Sequence, residues 1–436
     1  MLGSVWMDDP PLDVSGMTLV RLNPRGRLMQ FIAVPPQVEK PAGVKLSPYG
    51  APDWAPLFSA AGLDPSKWPP AQPTWTPPIY SDARAAWTGS LAERPNIPMR
   101  IEAAAYRGKP VYFELVGPWA RPERMQPYEP TASERAGLVI GTIFFLSILV
   151  VGAMLARRNL RLGRGDRRGA ARLAVFVFAA WAVAVVFGAH HYPNSTLIWQ
   201  FFSVLSFGLA SSCFFWALYI AMEPYVRQRW PATLVSWSRL RAGGFRDPLV
   251  GRDVLAGCLL GAFSITLIRL GWFVPSWLGY PPPQPLSGPQ WQLLGARTII
   301  AATSNNLISA LLHSFVFLFV LFLLRALLRK QWAAAIASIL LLTVIGVNEF
   351  APVAFMTGLI TTGLAVVLLI RFGLLVVVAS DVFTNFLGNF PLTTQGSVWY
   401  ASLSLAGILL MASMAFYGFY TSLGGRPIFG GAVLEE

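Results

Sequence analysis

The chain has 436 residues, of which 54% are hydrophobic and only 13% are charged, and its formal net charge is +13. Soluble domains carry about 25% charged residues, so this deficit excludes a wholly soluble globular protein and indicates surface that faces lipid. The positive charge does not indicate a nucleic-acid partner, because most arginines after residue 135 lie in short segments between apolar runs. Cys213 and Cys258 both fall inside apolar runs, so no disulfide framework is expected.

Residues 1–130 contain no apolar run long enough to cross a bilayer and no signal-peptide pattern. Two hairpins are predicted, with turns at residues 23–26 (Asn-Pro-Arg-Gly) and 107–110 (Arg-Gly-Lys-Pro). A short helix is predicted at residues 53–63, with Asp53 as its cap. Four tryptophans are interpreted as core residues, with a ligand groove as the alternative: Trp54, Trp68, Trp75 and Trp87. These patterns predict a small α+β domain over residues 1–130.

The rest of the chain, residues 131–436, is predicted to be a multi-helix transmembrane domain. A membrane-spanning helix needs about 20 predominantly apolar residues. About eight segments meet or nearly meet this length: 136–156, 173–189, 195–222, 254–273, 298–324, 332–348, 350–370 and 398–423. A ninth apolar run, 372–390, is expected either to extend the preceding helix or to lie in the membrane interface.

Arginine placement predicts the orientation of these helices. Basic segments at 157–172, 223–253 and 325–330 alternate with connections that carry no lysine or arginine apart from Arg297. The basic segments are therefore expected to be cytoplasmic, and residues 1–130 to be extracytoplasmic. The side on which the chain ends depends on whether residues 372–390 cross the membrane.

An extracytoplasmic domain of this size has no earlier helix in the chain to carry it across the membrane. We therefore expect that a further portion, with at least one more helix, precedes the sequence.

Residues 223–255 carry E-P-Y-V-R-Q-R-W-P, then L-V-S-W-S-R-L, then F-R-D-P-L-V-G-R-D-V-L. Together these pieces resemble the C-terminal membrane half of bacterial transmembrane serine/threonine protein kinases. Further similar pieces occur along the chain in the order that the family has them, at residues 8–22, 82–87, 105–113, 389–394 and 417–427. The resemblance implies a cytoplasmic kinase domain, a helix, an outer domain and a polytopic tail, of which this chain holds the last two.

The motifs of the kinase domain itself are missing from this sequence. It has no Gly-rich phosphate loop, no V-A-I-K lysine, no H-R-D loop and no D-F-G. Phosphoryl transfer needs a metal-binding Asp, a base Asp and a phosphate-pairing Lys held together. We therefore expect no catalytic residue, no cofactor and no activity from the chain alone. The kinase domain that the resemblance implies would be supplied in cis or in trans.

A polar stripe is predicted on the helix at 298–324, formed by Thr303, Asn306, Ser309 and His313. Their spacing places them on one helical face, and polar groups in lipid are expected to face other helices. They would form either interhelical hydrogen bonds or a path for a ligand or an ion. Charged residues near helix ends are expected to form structural ion pairs: Arg269 and Arg297 with Glu349, and Arg371 with Asp381.

The segment 223–253 is itself a candidate site. We expect its tryptophans to mark one side of a helix that lies along the inner membrane surface, with arginines facing anionic lipid headgroups. The alternative is a plain basic loop. The residues concerned are Glu223, Arg227, Trp230, Trp237, Arg239, Arg241 and Arg246.

Two functions follow from these patterns. The first is the sensory and regulatory portion of a transmembrane serine/threonine kinase system, with the lipid bilayer, anionic lipids and a kinase domain as partners and an unidentified extracytoplasmic ligand. The alternative is a transporter or permease with a cap domain. No internal repeat of the kind found in transporters is recognisable. The adjacent His190 and His191 lack nearby carboxylates or cysteines in the sequence, so no metal site is expected.

Overall fold

The computed structural model describes residues 11–38, 50–120, 122, 124–125, 131–189, 191, 196–278, 291–346 and 352–425. The chain divides into two compact units, one within residues 5–129 and the other within residues 130–436. We refer to them as the N-terminal unit and the helical unit.

The N-terminal unit is built on one antiparallel sheet of six strands. The strands are β1 (Thr18–Leu22), β2 (Leu28–Ala33), β3 (Pro70–Ala71), β4 (Ala83–Leu91), β5 (Arg94–Tyr106) and β6 (Lys109–Val116). Their order across the sheet is β1-β2-β6-β5-β4-β3. The two longest strands, β4 and β5, pair over most of their length, with Ala83 opposite Ala105 and Ser90 opposite Pro98.

Both predicted hairpins are present. In the first, the Asn23 side chain accepts hydrogen bonds from the backbone N–H groups of Arg25 and Arg27, and Gly26 has φ = 77°. Asparagine side chains that accept hydrogen bonds from the backbone N–H groups of a turn, and glycines at positive φ, are both common in turns. These two residues therefore allow the turn to be predicted from the sequence. In the second hairpin, Arg107 and Gly108 both have positive φ, at 51° and 74°. Two successive positive φ values match the twist of the flanking strands.

One face of the sheet holds the main apolar core. Helix α1 (Ala55–Ala61) lies on this face, and its Phe58 contacts Phe113 and Trp87 edge-on. Trp68 is buried over Gly89, where an added Cβ would come within 2.8 Å of the indole ring. Trp54 and Trp87 pack against the same cluster, whereas Trp75 is half-buried outside it. The tryptophans are therefore mainly core residues, as expected.

The opposite face of the sheet carries a buried charge. Glu102 on β5 is 1% exposed and accepts hydrogen bonds from Arg100 at 2.6 Å and from the backbone and side chain of Thr74. A buried carboxylate is tolerated when cations and donors satisfy it in this way. Both faces of the sheet are therefore packed.

The helical unit contains ten described helices. They are α2 (Ala132–Arg161), α3 (Arg167–Gly188), α4 (Thr196–Arg229), α5 (Pro231–Arg241), α6 (Pro248–Trp277), α7 (Ala296–Leu328), α8 (Gln331–Gly346), α9 (Pro352–Arg371), α10 (Leu374–Asn389) and α11 (Ala401–Ser422).

Seven helices of the described chain are long and apolar enough to cross a membrane: α2, α3, α4, α6, α7, α9 and α11. The architecture is therefore that of a polytopic helical membrane protein, with seven such helices where the sequence predicts about eight. The difference is α8, whose 16 described residues span about 24 Å, less than a hydrocarbon core of about 30 Å. Residues 347–348 of that predicted segment lie outside the described residues.

Residues 372–390 neither extend the preceding helix nor lie at the surface, in contrast to the sequence prediction. Gly373, at φ = 112°, interrupts the helical conformation between α9 and α10, and its backbone lies directly against the Thr233 carbonyl. Helix α10 then packs against α6 and α7, with Leu374, Val376 and Val377 fully buried or nearly so. The bundle therefore encloses α10.

Residues 157–168, 223–253 and 418–425 lie together at one end of the helical unit. We call this end the basic end. Gly165 lies against Ile220 and Pro224, and the Tyr417 hydroxyl donates to the Phe245 carbonyl at 2.6 Å. Gly424 contacts Pro248. Helix α11 therefore ends on the same side of the bundle as the basic segments.

Glycines allow α6 and α10 to approach closely. A Cβ added at Gly257 would lie 2.5 Å from the Ala379 Cβ and 2.7 Å from the Val376 carbonyl oxygen, and one at Gly261 would lie 2.8 Å from the Ser380 carbonyl oxygen. These two glycines form a G-x-x-x-G motif, in which small residues let the backbones of two membrane helices meet. Helix α10 is therefore held by backbone proximity as well as by its apolar side chains.

The substitution Gly257→Val is expected to destabilise the helical unit by at least about 1–3 kcal/mol, because α10 must move away from α6. The matched control is Gly141→Val in α2, where an added Cβ meets nothing within 4 Å. The apparent melting temperature of the purified chain in detergent measures the difference. Equal melting temperatures for the two variants would contradict the close contact of α6 with α10.

Candidate functional site at the basic end

The site begins at Asp166, which caps the N-terminus of α3. Its Oδ1 accepts a hydrogen bond from the Gly169 N–H at 2.8 Å, and its own backbone N–H donates to Glu223 Oε2 at 3.3 Å. Aspartate is a favoured N-cap residue, and its negative charge suits the positive end of the helix dipole. Asp166 thus fixes the start of α3 and joins it to α4.

Arg241, the last residue of α5, reaches the same carboxylate. Its Nη2 donates to Asp166 Oδ2 at 2.9 Å, and its guanidinium lies 4.8 Å from the centre of the Tyr219 ring. The guanidinium also rests directly on Gly169, where any Cβ would overlap it. The Asp166–Arg241 pair thus joins α5 to the N-terminus of α3, and Tyr219 of α4 completes the contact.

Several influences set the charge of Asp166. Partial burial acts to raise the pKa of its carboxyl, but hydrogen bonds from Gly169 and Arg241 and the positive charge of Arg241 and Arg227 outweigh it and hold the pKa below its ordinary value. Asp166 is therefore ionised at neutral pH. Because the folded-state pKa is depressed, its contribution to stability is present above the ordinary value and is lost as pH falls through the folded value.

Glu223 and Arg227 form an ion pair one helical turn apart on α4, at 3.3 Å. The Glu223 side chain is 4% exposed and the Arg227 side chain 69% exposed. Helix α4 continues through Pro224 to Arg229, so the pair sits on an unbroken helix. Glu223 therefore links the Asp166 backbone to the exposed surface.

A second buried group joins α5 to α6. The Ser236 hydroxyl donates to Asp253 Oδ2, and Arg252 donates to Asp253 Oδ1 at 2.8 and 2.9 Å. Asp253 is 0% exposed, and the Arg252 guanidinium lies over Phe372 just before α10. Helix α5 is thus fixed at both its inner face and its end.

The predicted interfacial segment 223–253 comprises the end of α4, all of α5 and the start of α6, and its Trp237 faces protein. Trp237 is 6% exposed and packs edge-on against Phe315 at 5.7 Å, and Trp230 is half-buried. The arginines also differ from the expectation that they face headgroups. Arg239 pairs with Asp247 at 2.7 Å and Arg241 with Asp166, whereas Arg246 is exposed. An amphipathic pattern cannot tell whether its apolar side meets lipid or protein.

The polar stripe lies on the side of α7 opposite to Ile308, Leu311, Phe315 and Leu318. Ile308, Leu311, Phe315 and Leu318 are buried, whereas Thr303, Asn306 and Ser309 are half-buried and His313 is exposed. The buried Nδ2 of Asn306 has no hydrogen-bond partner among the described residues. The structure therefore brings the four residues onto one side of α7 without interhelical hydrogen bonds in the described part, and their role stays a prediction.

The predicted ion pairs at helix ends take other partners. Arg269 donates to the Gly388 carbonyl at 2.9 Å, and Arg297 to the Ala189 carbonyl at 3.3 Å. Glu349 lies outside the described residues. Asp381 accepts a hydrogen bond from the Ser314 hydroxyl at 3.3 Å and does not pair with Arg371 in the described structure.

Within the described ranges, no three His, Cys, Asp or Glu side chains lie close enough together to hold a metal ion. His190 lies outside these ranges, and the His191 ring contacts Gln200 and the Val186 carbonyl. The arrangement at the basic end connects helices to one another. It couples α3, α4, α5 and α6 through the Asp166–Arg241 pair and through hydrogen bonds to Glu223 and Asp253.

Sequence reasoning identified the basic partners of this site but missed Asp166, Asp253 and Asn159. A signal for Asp166 was present, since an aspartate just before a long helical pattern is a common N-cap. Asp253 of α6 and Asn159 of α2, whose amide donates to two carbonyls of α4, lie near the basic end of apolar helices, where a polar residue needs a buried partner. Their partners lie in other helices, so the sequence alone does not name them.

The substitution Asp166→Asn keeps a capping side chain but removes the charge that pairs with Arg241. We expect a loss of about 2 kcal/mol of stability at pH 7, a typical value for a hydrogen bond between charged groups. In a cycle with Arg241→Met, the double variant should lose less than the sum of the two single variants. The apparent melting temperatures of the four proteins provide the measurement.

The control is Arg227→Gln, because an ion pair with so exposed a guanidinium contributes at most about 1 kcal/mol. Strict additivity of Asp166→Asn and Arg241→Met would show that the two side chains are not coupled.

Comparisons of the chain with family models, with curated proteins and with solved structures found no match.

Proposed function

We propose that this chain is the membrane-embedded sensory and regulatory portion of a transmembrane serine/threonine kinase signalling system and has no catalytic role of its own. The N-terminal unit is the extracytoplasmic input domain, in the inner membrane of a bacterium. The basic end faces the cytoplasm, where a kinase domain supplied in cis or in trans receives the signal.

The observation that carries this proposal is the attachment of α5 to three other helices. An unattached basic loop would not follow movements of the bundle. Helix α5 is instead tied to α3 by the Asp166–Arg241 pair and to α6 by Asp253, and the Thr233 carbonyl lies against Gly373 before α10. A shift of these helices therefore moves α5 or breaks the Asp166–Arg241 pair or the Ser236–Asp253 hydrogen bond.

The exposed side of the same segment suits contact with a soluble partner. Arg227, Arg229 and Arg246 are exposed around α5. The resemblance of residues 223–255 to the membrane half of serine/threonine kinases supports a kinase domain as that partner. The sheet of the N-terminal unit, with its own core, supports a separate input domain.

The first experiment tests the absence of catalysis. The purified chain in liposomes, supplied with labelled ATP and magnesium, should transfer no phosphate to itself or to a general kinase substrate, because the residues for phosphoryl transfer are missing. A kinase of known activity in the same liposomes is the control. Phosphoryl transfer by the chain alone would overturn the proposal.

The second experiment tests signalling. In membranes of the source cells, deletion of residues 11–120 or the substitution Arg241→Met should change serine/threonine phosphorylation at least about twofold. Arg164→Gln, which changes charge in the exposed loop before α3, should not. Immunoblots of membrane fractions confirm equal amounts of each protein. Unchanged phosphorylation, together with solute flux in proteoliposomes, would instead establish a transporter.

A further inference from the structure

An open groove of about 440 Å³ lies between α2 and α4, near the basic end. Its walls are apolar and are formed by Ala153, Ala156, Leu160, Trp216 and Ala217. Three of these residues are alanines, whose short side chains leave the space between the helices unfilled. We call this feature the α2–α4 groove.

A buried amide fixes the spacing of the two helices beside the groove. Asn159 is 0% exposed, and its Nδ2 donates to the carbonyl oxygens of Ile220 at 2.9 Å and Ala221 at 3.1 Å. Hydrogen bonds to two successive carbonyls of α4 hold α2 in register with it. Because the helices are fixed at this point, the groove cannot close by a simple sliding of α2 over α4.

Two arginines complete the lining of the groove. Arg157 and Arg161 are one helical turn apart on α2, both are exposed, and neither has an acidic partner in the described part of the chain. Four other arginines of the basic end do pair with acids, namely Arg227, Arg239, Arg241 and Arg252. The groove thus combines an apolar wall with two positive charges that the protein leaves unneutralised.

The position of the groove indicates what meets it. Helix α2 is long and apolar enough to cross a membrane, and its arginines lie at its last two turns, where a spanning helix reaches the headgroups. From Ala153 to Arg161 the helix rises about 12 Å. A groove of this length can hold the part of an acyl chain that lies next to the headgroup. Arginine pairs well with the phosphate oxygens of that headgroup.

We propose that the α2–α4 groove binds one anionic phospholipid, with an acyl chain along the alanines and Trp216 and the phosphate held by Arg157 and Arg161. Basic pockets between helices on the cytoplasmic side recognise anionic headgroups in this way. This proposal does not depend on the kinase-related function, since it requires only that α2 crosses a membrane with its basic end at the headgroups.

The test uses the purified full chain in detergent and native mass spectrometry to count bound lipids. Phosphatidylglycerol and phosphatidylcholine with identical acyl chains are the probes. One site with preference for phosphatidylglycerol is expected. The double variant Arg157→Gln/Arg161→Gln should weaken that site about 25-fold, since each cation near an anionic lipid contributes about a fivefold factor.

Two matched controls separate charge from shape. Arg158→Gln/Arg164→Gln removes the same charge from the same region, outside the groove lining, and should leave the affinity within about twofold. Ala153→Phe fills the groove and should weaken binding of both lipids, whereas Met154→Phe, at a position that is 66% exposed, should not. Melting temperatures identify any variant that fails to fold.

Four outcomes would overturn the proposal. Equal losses for the two arginine pairs would show a general charge effect. Full competition by soluble glycerol phosphate would show an anion site that does not use the groove. Unchanged lipid binding by Ala153→Phe, or the release of lipid on association of a second copy of the chain, would assign the groove to another occupant.

Discussion

The contact between Asp166 and Arg241 determines much of the organisation of the helical unit. One carboxylate caps α3 and holds the end of α5, while the backbone N–H of the same residue reaches Glu223 on α4. Gly169 makes this possible, because a side chain there would occupy the place of the guanidinium. A charge pair of this kind stabilises weakly compared with apolar packing, but it specifies which helix ends meet. Helix α5, which is short and only moderately apolar, is held at its end by this pair and along its length by Ser236 and Trp237.

Apolar packing and small residues accommodate the rest of the bundle around this end. Gly257 and Gly261 let α10 sit inside the bundle against α6, and Gly373 lets the chain turn sharply beside Thr233. The N-terminal unit follows different physics, since its sheet buries aromatic residues around Phe58 and Phe113 in the manner of a water-soluble core. The chain therefore places its apolar side chains in two ways. The N-terminal unit packs them inside a sheet domain, and the helical unit carries them on helices long and apolar enough to cross a membrane.

Local features of the fold were predictable from the sequence, and long-range ones were not. The two hairpins follow from turn residues such as Asn23 and Gly26, and seven spanning helices follow from their apolar length. The partner of Arg241 lies 75 residues earlier, and no pattern in the sequence connects the two. The orientation of Trp237 was also not accessible, since lipid and protein attract an apolar side chain equally. On α7, the buried face is the one that carries Ile308, Leu311, Phe315 and Leu318, and not the one that carries the polar stripe.

The paired arginines of the basic end have a consequence for how the protein is made. Positively charged residues orient helices during insertion, when the chain is still unfolded, and nearby acids scarcely offset them at that stage. Of the six arginines in residues 223–253, four have acidic partners once the helices are packed. The same side chains thus act first as free charges that set direction and later as neutralised contacts that set helix order. Acidic residues at these positions therefore preserve the insertion signal and lower the repulsion among the arginines of residues 223–253 in the folded protein.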